Sequence, residues 1–170
     1  MTPSTLRMRP LTAEAFAPFG TVIQKAGHRP LEINYGQTLK YAELACIEVD
    51  EQGGKPLAHI YCSQPVELPF RVEIMECHPR GSQTFMPLHD RPFLVVVAPP
   101  GSEPAPAAIR CFVTDGRQGV HLNKGVWHHY QLSLGEPADY LVIDRGGPGE
   151  NTVERRLSEP LLIEEQYPQR

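Results

Sequence analysis

Glu76, His78 and Gln83 on one stretch, and Lys124 and His128 on another, are the side chains whose types and spacing could move protons or hold a cation. On an extended strand side chains alternate between faces, so Glu76 and His78 project to the same side. Gln83 follows the turn Pro79-Arg80-Gly81 and can return on the next strand, while the tight turn at Lys124-Gly125 delivers a strand whose first polar side chain is His128. If the two stretches lie side by side, a carboxylate, two imidazoles and a carboxamide converge. Imidazole titrates near neutrality, which suits His128 to general-base work, and Glu76 becomes a second proton-transfer group once burial raises its pKa. The same four residues, Glu76, His78, Gln83 and His128, form a mixed oxygen and nitrogen donor set. Such a set suits Ni²⁺, Mn²⁺ or Fe²⁺ better than a structural zinc site.

The surroundings of these residues have plainer explanations. Trp127 and His129 flank His128 and by alternation face the other way, Trp127 into the core or a dimer contact and His129 into a structural role or an interface. Arg80 reads as a turn residue that could also bind a carboxylate in bidentate fashion, and Asp144-Arg145 before Gly146-Gly147 as an ion pair fixing a chain reversal.

The elements that must position this set are short and mostly extended. A first strand is expected over Leu6–Arg9, then a small helix from the N-cap Thr12 to Gly20, docked by Phe16 and Phe19, then a strand over Thr21–Gln24 and a turn at Asn34-Tyr35-Gly36. Further strands are expected over Leu44–Val49, Leu57–Ser63, Phe70–Glu76, Thr84–Met86, Phe93–Ala98, Ile109–Thr114, Gly119–Leu122, Trp127–Leu134 and Tyr140–Asp144. Gly, Pro or Asp punctuates each one. The tail Ser158–Glu165 reads equally as a capped helix or an edge strand. Many short strands with few helical periods predict an all-β antiparallel sandwich or barrel, and the 18 prolines and 14 glycines supply its turns. Phe93–Ala98 is apolar on both alternating faces, so it is expected at the centre, buried on two sides.

Composition bounds the rest. The 170 residues make one domain, long enough to bury a core without covalent staples. A net charge of −4, with scattered Lys and Arg, lacks the basic footprint of a nucleic-acid binder. The four cysteines, Cys46, Cys62, Cys77 and Cys111, show no C-x-x-C spacing and are expected as free thiols in a reducing cytoplasm. No window approaches the roughly 18 apolar residues of a membrane span, and the N-terminus carries no secretory signal.

Two motifs then carry a resemblance. Asn123-Lys124-Gly125-x-x-His128 resembles the Pro-x-Gly-x-x-His motif of the cupin superfamily, with Asn123 at the proline position. Glu76-x-His78 with Gln83 resembles its His-x-His…Glu motif, Glu76 replacing the first histidine and Gln83 the glutamate, while Asp90 stands where a glycine usually closes it. The runs Glu76-x-His78-Pro79-x-Gly81-x-Gln83-x-Phe85-x-Pro87, Val126-Trp127-His128-His129 and Ile143-Asp144-Arg145-Gly146-Gly147 look like those of the ureidoglycolate lyase family, and the likeness extends from the Phe16 region to Gly147.

The resemblance implies a double-stranded β-helix, or jelly-roll, barrel of cupin type with one or two short peripheral helices. It also implies a cytoplasmic homodimer that splits ureidoglycolate into glyoxylate and urea late in allantoin degradation, and an association with nickel. For that chemistry the expected catalytic residues are His128, Glu76 and Lys124, and the expected substrate contacts Asn34, Arg80 and Gln83. A bound metal would take Glu76, His78, Gln83 and His128. Two other readings remain open at this point. A non-catalytic cupin that binds a small carboxylate would keep the cationic pocket without the base, and a metal-dependent cupin oxidoreductase would need a firmly held redox metal.

Overall fold

The computed structural model describes residues 4–165. Its strands are β1 (Ser4–Thr5), β2 (Met8–Pro10), β3 (Gly20–Ile23), β4 (Leu31–Ile33), β5 (Thr38–Lys40), β6 (Lys55–Ser63), β7 (Pro65–Val66) and β8 (Phe70–Cys77). They continue with β9 (Gln83–Pro87), β10 (Phe93–Ala98), β11 (Arg110–Val113), β12 (Gly119–Leu122), β13 (Trp127–His128), β14 (Leu132–Leu134), β15 (Ala138–Gly146) and β16 (Val153–Ile163). One short helix, α1 (Ala13–Phe16), and a 3₁₀ turn at Pro106–Ala108 complete the described elements. The expected all-β cupin-like barrel with few helices is what the chain forms. No described helix is long and apolar enough to cross a membrane.

A nine-stranded sheet runs β1-β16-β8-β13-β10-β11-β2, with β14 and β7 attached through β10. A five-stranded sheet runs β3-β12-β9-β15-β6, and β4 and β5 form a separate hairpin. Most pairings are antiparallel; β1 with β16, β11 with β2 and β14 with β7 are parallel.

β10 explains how the sheets close. All six of its residues are buried, and alternation divides them. Phe93, Val95 and Val97 join Phe85, Val120 and Val142 of the smaller sheet in the inter-sheet core, whereas Leu94, Val96 and Ala98 join Met75, Trp127 and Ile163 on the opposite face. A strand so placed needs apolar residues at every position.

Helix α1 is too short to persist by itself. Thr12 caps it, its hydroxyl accepting from the Ala15 N–H at 3.2 Å. Phe16 is fully buried and meets Phe112 edge-on at 5.6 Å. Burying one such ring contributes about 2–3 kcal/mol, enough to hold a single turn.

Four segments differ from expectation. Leu6–Arg9 is not one strand, because β1 and β2 run beside different partners, β16 and β11. Leu44–Val49 forms no strand; only Val49 makes a bridge, to Gly81, since no neighbouring ladder is available to the rest. Trp127–Leu134 is broken in two. From Val97↔His128 to Leu94↔Leu132, β10 advances three residues while its partner advances four, so a β-bulge lies between β13 and β14. The tail is a strand, β16, lying between β1 and β8 rather than at a free edge.

Candidate active site

Glu76 is the penultimate residue of β8, and His128 of β13 is its direct partner across the strands. The turn before β13 is tied to the same place, because the Gly125 N–H donates to the His78 carbonyl at 2.9 Å. Gln83 opens β9 just beyond the Pro79–Gly81 turn. The two stretches therefore do lie side by side, and Glu76, His78, Gln83 and His128 converge.

Hydrogen bonding fixes the tautomers. His78 Nδ1 lies 2.8 Å from the Asn151 carbonyl and His128 Nδ1 3.2 Å from the His129 carbonyl. A carbonyl only accepts, so both Nδ1 atoms carry hydrogen, and in the neutral ring each Nε2 keeps its lone pair. His128 Nε2 is buried without a partner among the described residues. His78 Nε2 lies 3.3 Å from Gln83 Oε1, acceptor facing acceptor when the ring is neutral. A cation between them, or a turned carboxamide, resolves that opposition. One donor atom each from Glu76, His78 and His128 lies within 4.8 Å of the others. Histidines oriented by Nδ1–H bonds, with Nε2 atoms unspent beside a carboxylate, fit a divalent metal.

Burial governs the protonation of this wall. It pushes the His128 pKa down to about 3, helped by the charge of His78, so the imidazole is neutral. Burial raises the Glu76 pKa, with His78 opposing and Glu154 adding to the rise.

A cavity of about 520 Å³ opens beside these groups and is lined by Glu76, His78 and Gln83 together with Tyr61, Asp144 and Arg145. Tyr130 and Gln131 also line it, adjacent residues that the bulge after β13 turns toward one space. A smaller cavity of about 260 Å³ shares Glu76 and Tyr130 and reaches His128 and His129. His128 thus sits behind Glu76 as seen from the larger space.

The cationic side is built by Arg145, whose side chain is 1 % exposed. Its Nε and Nη2 donate to Asp50 Oδ1 at 3.1 and 3.0 Å, and its Nη groups to the carbonyls of Gly147 and Pro148. Arg80 reaches the other oxygen of Asp50 at 3.4 Å. Two guanidinium groups thus share one carboxylate at this end. Gly81 makes room for Arg145, since a Cβ there would lie 2.5 Å from Arg145 Cβ.

Asp144 and Arg145 do not form the expected pair with each other. They are neighbours on a strand and face opposite ways, so Asp144 instead meets His59 at 3.2 Å and Tyr61 at 3.4 Å. Asn34 stands exposed at the tip of the β4–β5 hairpin, donating to Thr38, outside the cavity lining. Lys124 is exposed and its backbone N–H points to Glu48 at 3.4 Å. Tyr61, Gln131 and Asn151 joined the lining unforeseen. The run His59-x-Tyr61-x-Ser63, polar at every second position, was the one local sign.

Comparison with known proteins bears on this arrangement. The sequence model of the ureidoglycolate lyase family matches residues 3–164. The chain is 51 % identical over 159 residues to a ureidoglycolate lyase of Burkholderia mallei, covering 94 % of this chain and 93 % of that protein. It is 46 % identical over 164 residues to one of Pseudomonas aeruginosa, covering 95 % and 97 %. Against one of Pseudomonas putida the identity is 43 % over 159 residues, covering 94 % and 95 %.

Proposed function

The chain belongs to the ureidoglycolate lyase family, and we infer that it cleaves the C–N bond of ureidoglycolate to give glyoxylate and urea. The observation that carries this reading, beside the family, is a single cavity with proton-accepting groups at one wall and a buried arginine at another. Ureidoglycolate has the matching parts: a carbinol hydroxyl to be deprotonated, a ureido nitrogen to depart, and a carboxylate to be held.

The Glu76 carboxylate takes the hydroxyl proton in this scheme. The cavity reaches this carboxylate directly. His128, expected as the base from its motif, lies behind Glu76 with a lone pair on Nε2. It orients the ladder and serves as a donor. Arg145 provides the positive charge for the substrate carboxylate, with Arg80 acting through Asp50. Gln83 offers a carboxamide to the ureido group. The scheme gives Lys124 and Asn34 no contact, as neither lines the cavity.

Glu76, His78 and His128, with Gln83 beside His78, are the residues that would hold a divalent metal, nickel in our proposal. When bound, such an ion polarises a coordinated oxygen and lowers the cost of removing its proton.

The same reading includes a cytoplasmic homodimer working in purine breakdown through allantoin. Support for the dimer comes from the open edge of β6 and the exposed Leu57, Ile60, Leu31 and Leu39. An exposed apolar edge strand is a surface that proteins normally cover.

The decisive experiment incubates the purified protein with ureidoglycolate and follows glyoxylate and urea together. Equimolar release supports the lyase. Ammonia in place of urea, or no release, rejects it.

A further inference from the structure

The cavity has a second set of proton-bearing groups that the scheme above does not use. Antiparallel pairing of β6 with β15 sets His59 opposite Val142 and Tyr61 opposite Tyr140, so both project to the face that carries Asp144. Asp144 binds both of them, one oxygen to each: Oδ1 lies 3.2 Å from His59 Nε2, and Oδ2 accepts from the Tyr61 hydroxyl at 3.4 Å. Tyr61 and Asp144 line the cavity, whereas the His59 side chain is 40 % exposed. The three residues therefore connect solvent to the cavity. They belong to the smaller sheet, while Glu76 belongs to the larger, and Tyr61 is fixed against the cavity wall by an edge contact with Phe85 at 6.4 Å.

The reaction needs such a group. When the C–N bond breaks, its electron pair goes to the ureido nitrogen, and the O–H pair becomes the second bond of the glyoxylate carbonyl. One proton leaves the hydroxyl and another must reach the nitrogen. A single carboxylate that has just received the first proton is badly placed to give the second to an atom on the far side of the same carbon.

We propose that Tyr61 is a further catalytic residue of this site, donating its phenolic proton to the departing ureido nitrogen, with Asp144 and His59 as positioning residues that hold and restore that proton. The proposal rests on the ureidoglycolate-cleaving reading. Tyr61 gives up its proton, the nitrogen receives it to complete urea, and the phenolate recovers a proton through Asp144 and His59 from solvent. Glu76 returns its proton to solvent through the open cavity, so nothing accumulates. Burial, the Asp144 charge and hydrogen bond, and the Glu76 charge all raise the Tyr61 pKa, which keeps the hydroxyl protonated before reaction. Its weakness as an acid is no obstacle, because an amide-type nitrogen anion is far more basic than a phenolate.

The test compares the parent, Tyr61→Phe and Asp144→Asn with two readouts. One is turnover of ureidoglycolate; the other is the dissociation constant of oxalurate, an unreactive analogue whose carbinol carbon is a carbonyl. Tyr61→Phe is expected to lower kcat by roughly a hundredfold or more while oxalurate binds within about threefold of the parent. Asp144→Asn should lower kcat less, with KM little changed, and Asp144→Glu should restore part of it. Retained turnover in Tyr61→Phe overturns the proposal alone. Loss of oxalurate binding equal to the loss of turnover also overturns it, in favour of a binding role. A parent that releases no glyoxylate removes the reading and this proposal together.

Discussion

Glu76 and His128 are direct partners across β8 and β13, yet their side chains do not hydrogen-bond: Glu76 Oε1 lies 3.8 Å from His128 Nδ1, which donates instead to the His129 carbonyl. A distance of that size is beyond a hydrogen bond. The carboxylate is thus neither consumed by its neighbour nor neutralised by it, and it stays free for a reacting proton.

From this follows the effect of Glu76→Gln. The side chain keeps its shape and loses its capacity to accept a proton at the reacting position. Turnover should fall by roughly a hundredfold or more. Thermal unfolding should be unchanged or slightly later, because burial penalises the ionised form of Glu76. A variant that unfolds early and keeps its turnover per folded molecule would show Glu76 to be structural.

Metal affinity gives a second prediction. His128 Nε2 is buried and unpartnered among the described residues, and it lies in the group that Glu76 and His78 complete. His128→Ala and His78→Ala should each reduce retained nickel, measured by elemental analysis after dialysis against Ni²⁺. Thorough chelation of the parent should reduce glyoxylate release, and Ni²⁺ should restore it. Full activity after chelation, with no metal detected, would exclude the ion from the reaction.

Acid sensitivity is the third. His121, His128 and His129 are buried, and burial lowers the pKa of each, His128 to about 3. A histidine with a folded pKa below its unfolded value of 6.5 binds protons preferentially when the chain is unfolded. Stability is then complete above about pH 6.5 and falls as the pH drops below it. Urea denaturation midpoints at pH 8, 6.5 and 5 should decrease in that order, with the steeper loss in the second interval. A midpoint that is flat or higher at pH 5 would contradict the assigned burial. Thr84, bonded to His121 at 2.8 Å, supplies a variant that tests one contributor, since Thr84→Val removes that partner without adding charge.

What could be read from the residues alone divides along a physical line. Period-two alternation and a tight glycine turn are local, so Glu76, His78, Gln83 and His128 were legible as one group before any contact was known. Tyr61 and Asp144 meet through a pairing that joins β6 to β15 across some eighty residues, and nothing near either residue announces that pairing. Asn34 and Gly36 tolerate positive φ, which makes the turn legible, and both adopt it, but where a hairpin projects is decided by tertiary packing. Leu44–Val49 shows the converse: β-prone residues make no strand without a neighbour to bond. The bulge after His128 left no mark in composition, though it is what brings Tyr130 and Gln131 to the cavity together.

The two arginines on Asp50 make the last prediction, because the same carboxylate ranks them. Arg145 is buried and satisfied by Asp50 and by two carbonyls, so its loss leaves Asp50 Oδ1 and two carbonyls without their arginine donors, Arg80 remaining on Oδ2. Breaking a buried pair from one side costs about 3–5 kcal/mol. Arg80 is about a third exposed and meets Asp50 at 3.4 Å, a contact that water screens, worth about 0–1 kcal/mol. Arg145→Met should therefore lower the melting temperature by several degrees and raise KM for ureidoglycolate, while Arg80→Ala should do little to stability and raise KM modestly. The double variant Arg145→Met with Asp50→Asn should recover part of the lost stability, since the carboxylate stranded by the first change is gone, but it should not recover KM. If KM returns with stability, the positive charge of Arg145 is holding the barrel wall together and the substrate carboxylate is held by something else.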